Sequence, residues 1–261
     1  MIYKYCTETN TGLTRQNNED AVAFDESTGV VVLADGMGGY NAGEVASNMA
    51  TAQIKAELGR WLAQAGEQAG ARDIRRAMEI CVDNANGAIF NAARTHAAYA
   101  GMGTTLVVGV FQGHALLVGH IGDSRCYRFR RGALVQVTRD HSLLQEQIDA
   151  GLLTPQQAAV SMNKNLVTRA LGVENAVQLE LTECQVEDGD LYLLCSDGLS
   201  DMVSDAAIAA VLAQQISLSQ RAKDLVRVAN EQGGRDNITV LLVQAEAAPQ
   251  TRGLISRWLG K

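Results

Sequence analysis

The sequence predicts an α+β fold whose strands run antiparallel, and three observations carry that prediction. Two long stretches with helical spacing of apolar residues follow one another directly, over residues 42–65 and 74–92. Four strand-length apolar segments then come in a row, separated only by short turns that contain glycine. The strict strand–helix alternation that a parallel sheet requires is absent.

The elements follow in order. Residues 21–24 and 30–34 read as two short strands around the turn Asp25-Glu26-Ser27-Thr28-Gly29. A helix over residues 42–65 places Val45, Met49, Ala52, Ala56 and Leu58 near helical spacing, and a second carries Ile74, Met78, Cys81, Ala85, Ala88 and Ala92. Strands are predicted at 104–111, 115–121, 125–130 and 134–138. Residues 141–171 are polar, glutamine-rich and weakly helical; a stretch this long inside a compact domain reads as a functional flap. Strands at 177–181 and 191–195, helices at about 204–214 and 219–232, and a strong final strand at 238–244 complete the pattern.

No linker or repeat interrupts the chain, so residues 1–246 read as one domain and 247–261 as a tail. The tail can place Leu254, Ile255, Trp258 and Leu259 on one helical face, which suits docking onto the domain and, less well, a partner or membrane-surface anchor.

Composition removes several classes. The chain has 261 residues, 47% of them hydrophobic, which is ordinary for a globular protein and excludes wholesale disorder. No apolar run approaches the ~20 residues of a membrane span, and no basic-then-apolar leader opens the sequence, so the expected location is the cytoplasm. A net charge of −7 argues against nucleic-acid binding, which needs clustered Lys and Arg. The 5 cysteines are scattered without a C-x-x-C pair, which speaks against a thiolate zinc site or a disulfide framework.

The chemistry lies in the placement of aspartates. Val30-Val31-Val32-Leu33-Ala34 ends in Asp35-Gly36, and the apolar run through Ile121 ends in Gly122-Asp123. Leu191-Tyr192-Leu193-Leu194-Cys195-Ser196 ends in Asp197-Gly198, and Asp236 immediately precedes the last strand. Each is by itself an ordinary turn residue. If the four converge, their repulsion calls for a cation, and an all-carboxylate set selects Mg²⁺ or Mn²⁺. Two such ions ~3.5–4 Å apart can generate a bridging hydroxide and clamp a phosphoryl oxygen.

Competing readings fail on spacing. Gly36-Met37-Gly38-Gly39 lies between a strand and a helix, but Asn41 stands where the dinucleotide fingerprint needs its third glycine, and no phosphate-binding P-loop exists. Ser124, Ser142 and Ser196 have no Ser-His-Asp arrangement that the sequence supports.

Taken together and in order, the motifs resemble the metal-dependent Ser/Thr protein phosphatases of the PP2C (PPM) family, bacterial type. The resemblance rests on Arg15-Gln16-Asn17-Asn18-Glu19-Asp20, Asp35-Gly36-Met37-Gly38-Gly39 with Gly43-Glu44, and Gly103-Thr104-Thr105. It continues through Gly122-Asp123-Ser124-Arg125, Asp140-His141-Ser142, Thr168-Arg169-Ala170-Leu171-Gly172, Ser196-Asp197-Gly198 and Asp236-Asn237-Ile238-Thr239, covering about residues 8–245. It implies a four-layer α-β-β-α sandwich, with two stacked antiparallel sheets flanked by helices and the metal site at one end.

By motif, the resemblance makes Asp35 the bridge between two Mn²⁺ or Mg²⁺ ions, with Gly36 offering its carbonyl to the second. Asp197 and Asp236 complete the first ion, Glu19 and Asp20 hold the second, and Asp123 with Asp197 matches the place of a weaker third ion. Arg15 is placed to receive the substrate phosphate, a role that suits a planar guanidinium. Thr104 and Thr105 are expected to pack near the site, and Arg169 and His141 to order the flap, with no chemistry assigned. Met37 stands where eukaryotic relatives carry a histidine general acid; a thioether cannot donate a proton.

The activity implied is hydrolysis of phosphoserine and phosphothreonine in proteins by a metal-bridged hydroxide, in a monomer opposing a cognate Ser/Thr kinase. Two rivals stay open on the sequence: an inactive binding module that keeps the fold, and a phosphohydrolase of nucleotides or small phosphate esters.

Overall fold

A computed structural model describes residues 1–38, 42–66, 69–154, 157 and 166–248. Eleven strands are described: β1 Ile2–Asn10, β2 Asp20–Asp25, β3 Val30–Met37, β4 Gly103–Thr104, β5 Leu106–Gln112, β6 Ala115–Ile121, β7 Arg125–Arg130, β8 Ala133–Gln136, β9 Glu180–Gln185, β10 Leu191–Cys195 and β11 Ile238–Glu246. The helices are α1 Ala42–Ala65, α2 Ala71–Thr95, α3 Leu143–Asp149, the single turn α4 Asp197–Ser200, α5 Asp205–Leu212 and α6 Leu218–Glu231. Ser142, Ser204 and Ser217 open α3, α5 and α6 by accepting a backbone N–H three residues on.

The strands form two antiparallel sheets. One has the order β1-β11-β10-β7-β8; the other runs β2-β3-β5-β6-β9, with β4 paired antiparallel to the end of β3. Period-two alternation along β3 shows how the sheets stack. Val30, Val32 and Ala34 pack outward with Leu106, Val108 and Val110 against Ile54, Leu58, Met78 and Ile89 of α1 and α2. Val31 and Leu33 point inward with Val107 and Val118, meeting Tyr192, Leu194, Leu241 and Val243 of the other sheet. The outer face of that sheet, Leu193, Cys195, Val240 and Leu242, is covered by Ile208, Leu212, Leu225 and Ala229 of α5 and α6. This is the four-layer α-β-β-α sandwich that the sequence predicts.

Three local expectations are corrected. β1 was not predicted: it is a largely polar edge strand whose Tyr3 and Tyr5 turn inward, where Tyr5 stacks on Phe24 at 5.4 Å, while Cys6 packs on the outer layer. The strand expected at 177–181 lies at Glu180–Gln185, because Val177 and Leu179 are spent packing on the helical layer and the ladder to β6 begins after them. The strand expected at 104–111 is broken at Thr105: Thr104 pairs with β3 and Leu171, while Leu106 begins the ladder to β6. Residues 249–261, which include most of the tail, and 155–156 and 158–165 of the flap lie outside the described residues. Among the described residues, no helix is long and apolar enough to cross a membrane.

Candidate metal centre

Antiparallel pairing brings the predicted acids to one end of the sandwich. Asp20 opens β2 directly opposite Asp35 on β3. β10 ends into Asp197 beside the start of β11, which Asp236 precedes, and the β6–β7 turn contributes Asp123. Like charges facing each other on a sheet are destabilising, and the electrostatics of this end report that cost. Burial pushes Asp35 well above the usual carboxylate range, and the charges of Asp20, Asp197, Asp123 and Asp236 push it further. Asp197 is raised in the same way, first by burial and then by Asp123, Asp201, Asp236 and Asp20. Burial also lifts Asp20 and Asp123, each to about 6. Asp35, Asp20, Asp123, Asp197 and Asp236 therefore form one electrostatic cluster.

Glu19 and Gly36 flank it. Gly36 donates its N–H to the carbonyl of Glu19 at 3.1 Å. The same carbonyl accepts from Ser47 of α1 at 2.5 Å. A methyl group on Gly36 would run into the carbonyls of Gly43 and Glu19, so only glycine lets strand, loop and helix meet here. Glu19 is raised mainly by burial, with Asp236 and Glu44 adding to it and Arg15 opposing them. Arg15 lies in the β1–β2 loop, about half exposed, and its Nη2 donates to Asp236 Oδ2 at 2.7 Å. Its guanidinium thus stands at the rim of the acid cluster.

Neighbouring polar residues hold the acids in place. Ser196 Oγ donates to Asp20 Oδ2 at 2.8 Å and accepts from the Thr239 N–H at 3.0 Å. Asn237 Oδ1 takes the Glu19 N–H at 2.8 Å while its amide donates to the carbonyls of Thr11 and Asn17. Thr105 Oγ1 accepts from the Asp35 N–H, and Thr104 Oγ1 donates to the Asp35 carbonyl. Ser124 engages Thr105, so Ser124 and Ser196 are both committed to positioning. The sequence reading assigned no role to Ser196 or Asn237 and omitted Asp201; the i,i+4 spacing of Asp197 and Asp201 was a usable signal.

The donor set fits hard divalent cations. It consists of carboxylates and a carbonyl from the strand ends, without thiolate or imidazole. Asp20 Oδ1 is shut away from water with no hydrogen-bond partner, a cost that a bound cation would relieve. A second trio, His120, His141 and Glu180, brings its donor atoms within 4.8 Å of one another. Its imidazoles stack at 4.6 Å and 18°, so their in-plane lone pairs run side by side and do not converge on one ion.

The family model for protein phosphatase 2C matches residues 13–242. The chain is 38% identical over 242 residues to the serine/threonine protein phosphatase PstP of Mycobacterium tuberculosis, covering 93% of this chain and 45% of that relative. It therefore spans about half the length of that relative. It is 35% identical over 251 residues to the serine/threonine phosphatase stp of Listeria monocytogenes, covering 94% of this chain and 96% of the relative. The crystal structure of the catalytic domain of PstP with two manganese ions superposes with a TM-score of 0.81 at 38% identity, covering 94% of this chain and 99% of that one.

Proposed function

The chain belongs to the protein phosphatase 2C family, and from that premise we propose that it hydrolyses phosphoserine and phosphothreonine esters of proteins with Mn²⁺ or Mg²⁺. The observation that carries this reading is the cluster of mutually repelling acids around Asp35, with the Arg15 guanidinium at its rim. Asp35 would be shared by two ions, Asp197 and Asp236 would serve the first, and Glu19, Asp20 and the Gly36 carbonyl the second. Asp123 with Asp197 would serve a weaker third. Ions bound there acidify a water and offset charge on the phosphoryl oxygens.

The chain's own groups do the remaining work. Arg15 swings its fork between Asp236 and the incoming phosphate, which can take two N–H bonds from one guanidinium. Met37, at the end of β3, has no proton to give, so the proton for the leaving alkoxide must come from a water or another group at the site. The described roots of the flap, at His141 and at Thr168–Leu171, bond to Gly122 and Thr104 beside this end of the sandwich, and we infer that the flap over residues 141–171 governs which phosphoprotein fits. We read residues 1–246 as the catalytic unit, working as a monomer in the cytoplasm. A protein kinase must supply the phosphoester it consumes.

The test is hydrolysis of a phosphothreonine peptide with Mn²⁺, with Mg²⁺ and with excess chelator, beside Asp35→Asn and Asp236→Asn proteins. Turnover that needs a divalent ion and falls at least ~100-fold in both variants is expected, a loss of roughly 3 kcal/mol of transition-state stabilisation. Unchanged turnover in either variant removes the ligand assignment. A folded wild-type protein that hydrolyses a nucleotide and spares the peptide would replace the substrate class.

A further inference from the structure

The His120–His141–Glu180 trio has no part in the chemistry above, yet it lies between the flap and the Asp123 turn. His141 reaches that turn twice. Its backbone N–H donates to the Gly122 carbonyl at 2.9 Å, and its ring Nδ1 lies 3.2 Å from the Gly122 nitrogen. A backbone N–H can only donate, so Nδ1 presents its lone pair there. In the neutral ring the proton then sits on Nε2, which points at Glu180 Oε2 at 3.2 Å. Burial favours that neutral ring.

The same residue belongs to the root of the flap. The Thr168 N–H donates to the His141 carbonyl, and the Leu143 N–H donates to the Leu166 carbonyl, both at 2.9 Å. Arg169 Nη1 comes within 3.4 Å of His141 Nε2, so a flap guanidinium, a β9 carboxylate and this imidazole meet at one point. His120 braces the ring from behind by stacking, and its Nε2 is fixed to the Arg139 carbonyl at 2.6 Å. Next in sequence, Asp140 is gripped by Arg125 through Nε and Nη2, which ties the far side of the same turn. His141 is 6% exposed and His120 1%, so this joint is a packed one.

We propose that His141 is a positioning residue that locks the Gly122–Asp123 turn to β9 and the flap root, so that the Asp123 carboxylate, Glu180 and the Thr168 backbone are held as one unit. The inference rests on the phosphatase reading for its substrate arm only. Through Nδ1 the ring fixes the turn that presents Asp123, through Nε2–H it holds Glu180 of β9, and the His141 carbonyl takes the Thr168 N–H at the flap root. An asparagine can place its Oδ1 near the position of Nδ1 but cannot extend to Glu180, which separates the two halves of the role.

The test compares the full chain as wild type, His141→Ala and His141→Asn, with folding checked by thermal denaturation. Amide hydrogen exchange at Gly122, calorimetric Mn²⁺ titration, and kcat/KM for a phosphothreonine peptide and for p-nitrophenyl phosphate are read in each. In His141→Ala, Gly122 exchange is expected to accelerate at least ~10-fold, the loss of one modest hydrogen bond. The weakest Mn²⁺ site should weaken by a similar factor while the tight ions are retained. His141→Asn is expected to restore Gly122 protection and that site, yet to keep a lowered ratio of phosphopeptide to aryl phosphate turnover. Wild-type exchange and wild-type weak-site affinity in a folded His141→Ala protein would overturn the proposal. If the alanine variant does not fold, His141→Asn with Glu180→Ala decides: both must lower the substrate ratio and leave Gly122 protected, and wild-type ratios in both refute the role. A wild-type protein without phosphopeptide turnover would defeat the phosphatase reading, while Gly122 exchange and ion counts would still judge the latch.

Discussion

Replacing Asp123 by asparagine should make the metal-free protein more stable while weakening the enzyme. Burial, with the charges of Asp140 and Asp201 behind it, raises this carboxyl from 3.8 to about 6 in the folded chain. A raised native value means that native stability is fully present below the unfolded value and is lost as pH climbs through the folded one. Each tenfold change in proton affinity is worth about 1.4 kcal/mol, so the ionised Asp123 costs roughly 3 kcal/mol at pH 8. Asparagine keeps the shape and removes the charge. In chelator at pH 8 the variant should therefore melt about 6–12 °C higher, using about 2–4 °C per kcal/mol for a chain of this size. The advantage should shrink towards pH 4, where the native carboxyl is already protonated. Adding Mn²⁺ should narrow it at pH 8, because the wild type gains more from the ion. Thermal denaturation across pH 4–8, with and without Mn²⁺, reads all three. An asparagine protein that melts at or below the wild type in chelator at pH 8, or whose advantage ignores pH, would refute the reasoning.

Ser196→Ala strands both Asp20 Oδ2 and the Thr239 N–H, and should cost about 1–3 kcal/mol in a urea titration, with weakened Mn²⁺ binding by calorimetry. Gly36→Ala forces a methyl against two backbone carbonyls, so thermal denaturation should show a loss of about 1–3 kcal/mol or more, and a stable variant would contradict the packing. Arg15→Lys keeps the charge and loses the fork; steady-state kinetics should show KM for a phosphopeptide raised roughly tenfold, with little change in the melting temperature.

The parts of the fold that were legible are those whose physics is local. β3 and β10 are unbroken apolar runs because both of their faces are buried, and each announces its end with an aspartate. The two long helices carry their own spacing. β1 was illegible because an edge strand needs few apolar residues, and the pairing that makes it a strand lies 228 to 244 residues away, from Asn10↔Ile238 to Ile2↔Glu246. β9 was misplaced because hydrophobicity reports packing, while Val177 and Leu179 pack without pairing. At the site, Asp20 came only from the family resemblance, while Asp35, Asp123, Asp197 and Asp236 stood out as strand-end acids. Ser196 and Asn237 did not, because a side chain that serves a neighbour across the sheet leaves no pattern along its own segment.

The position of β11 has a consequence for how the protein comes into being. β11 lies between β1 and β10, so among the described strands β1 has no partner until β11 has emerged from the ribosome. Asp236 and Asn237 arrive with it, and Asn237 clasps the Glu19 backbone and the loop behind it. A nascent chain lacking β11 thus has a half-built sheet and a carboxylate set missing one of its members. A chain cut short before residue 236 lacks Asp236, Asn237 and the strand that pairs with β1, so it is expected to bind Mn²⁺ poorly and to lose turnover.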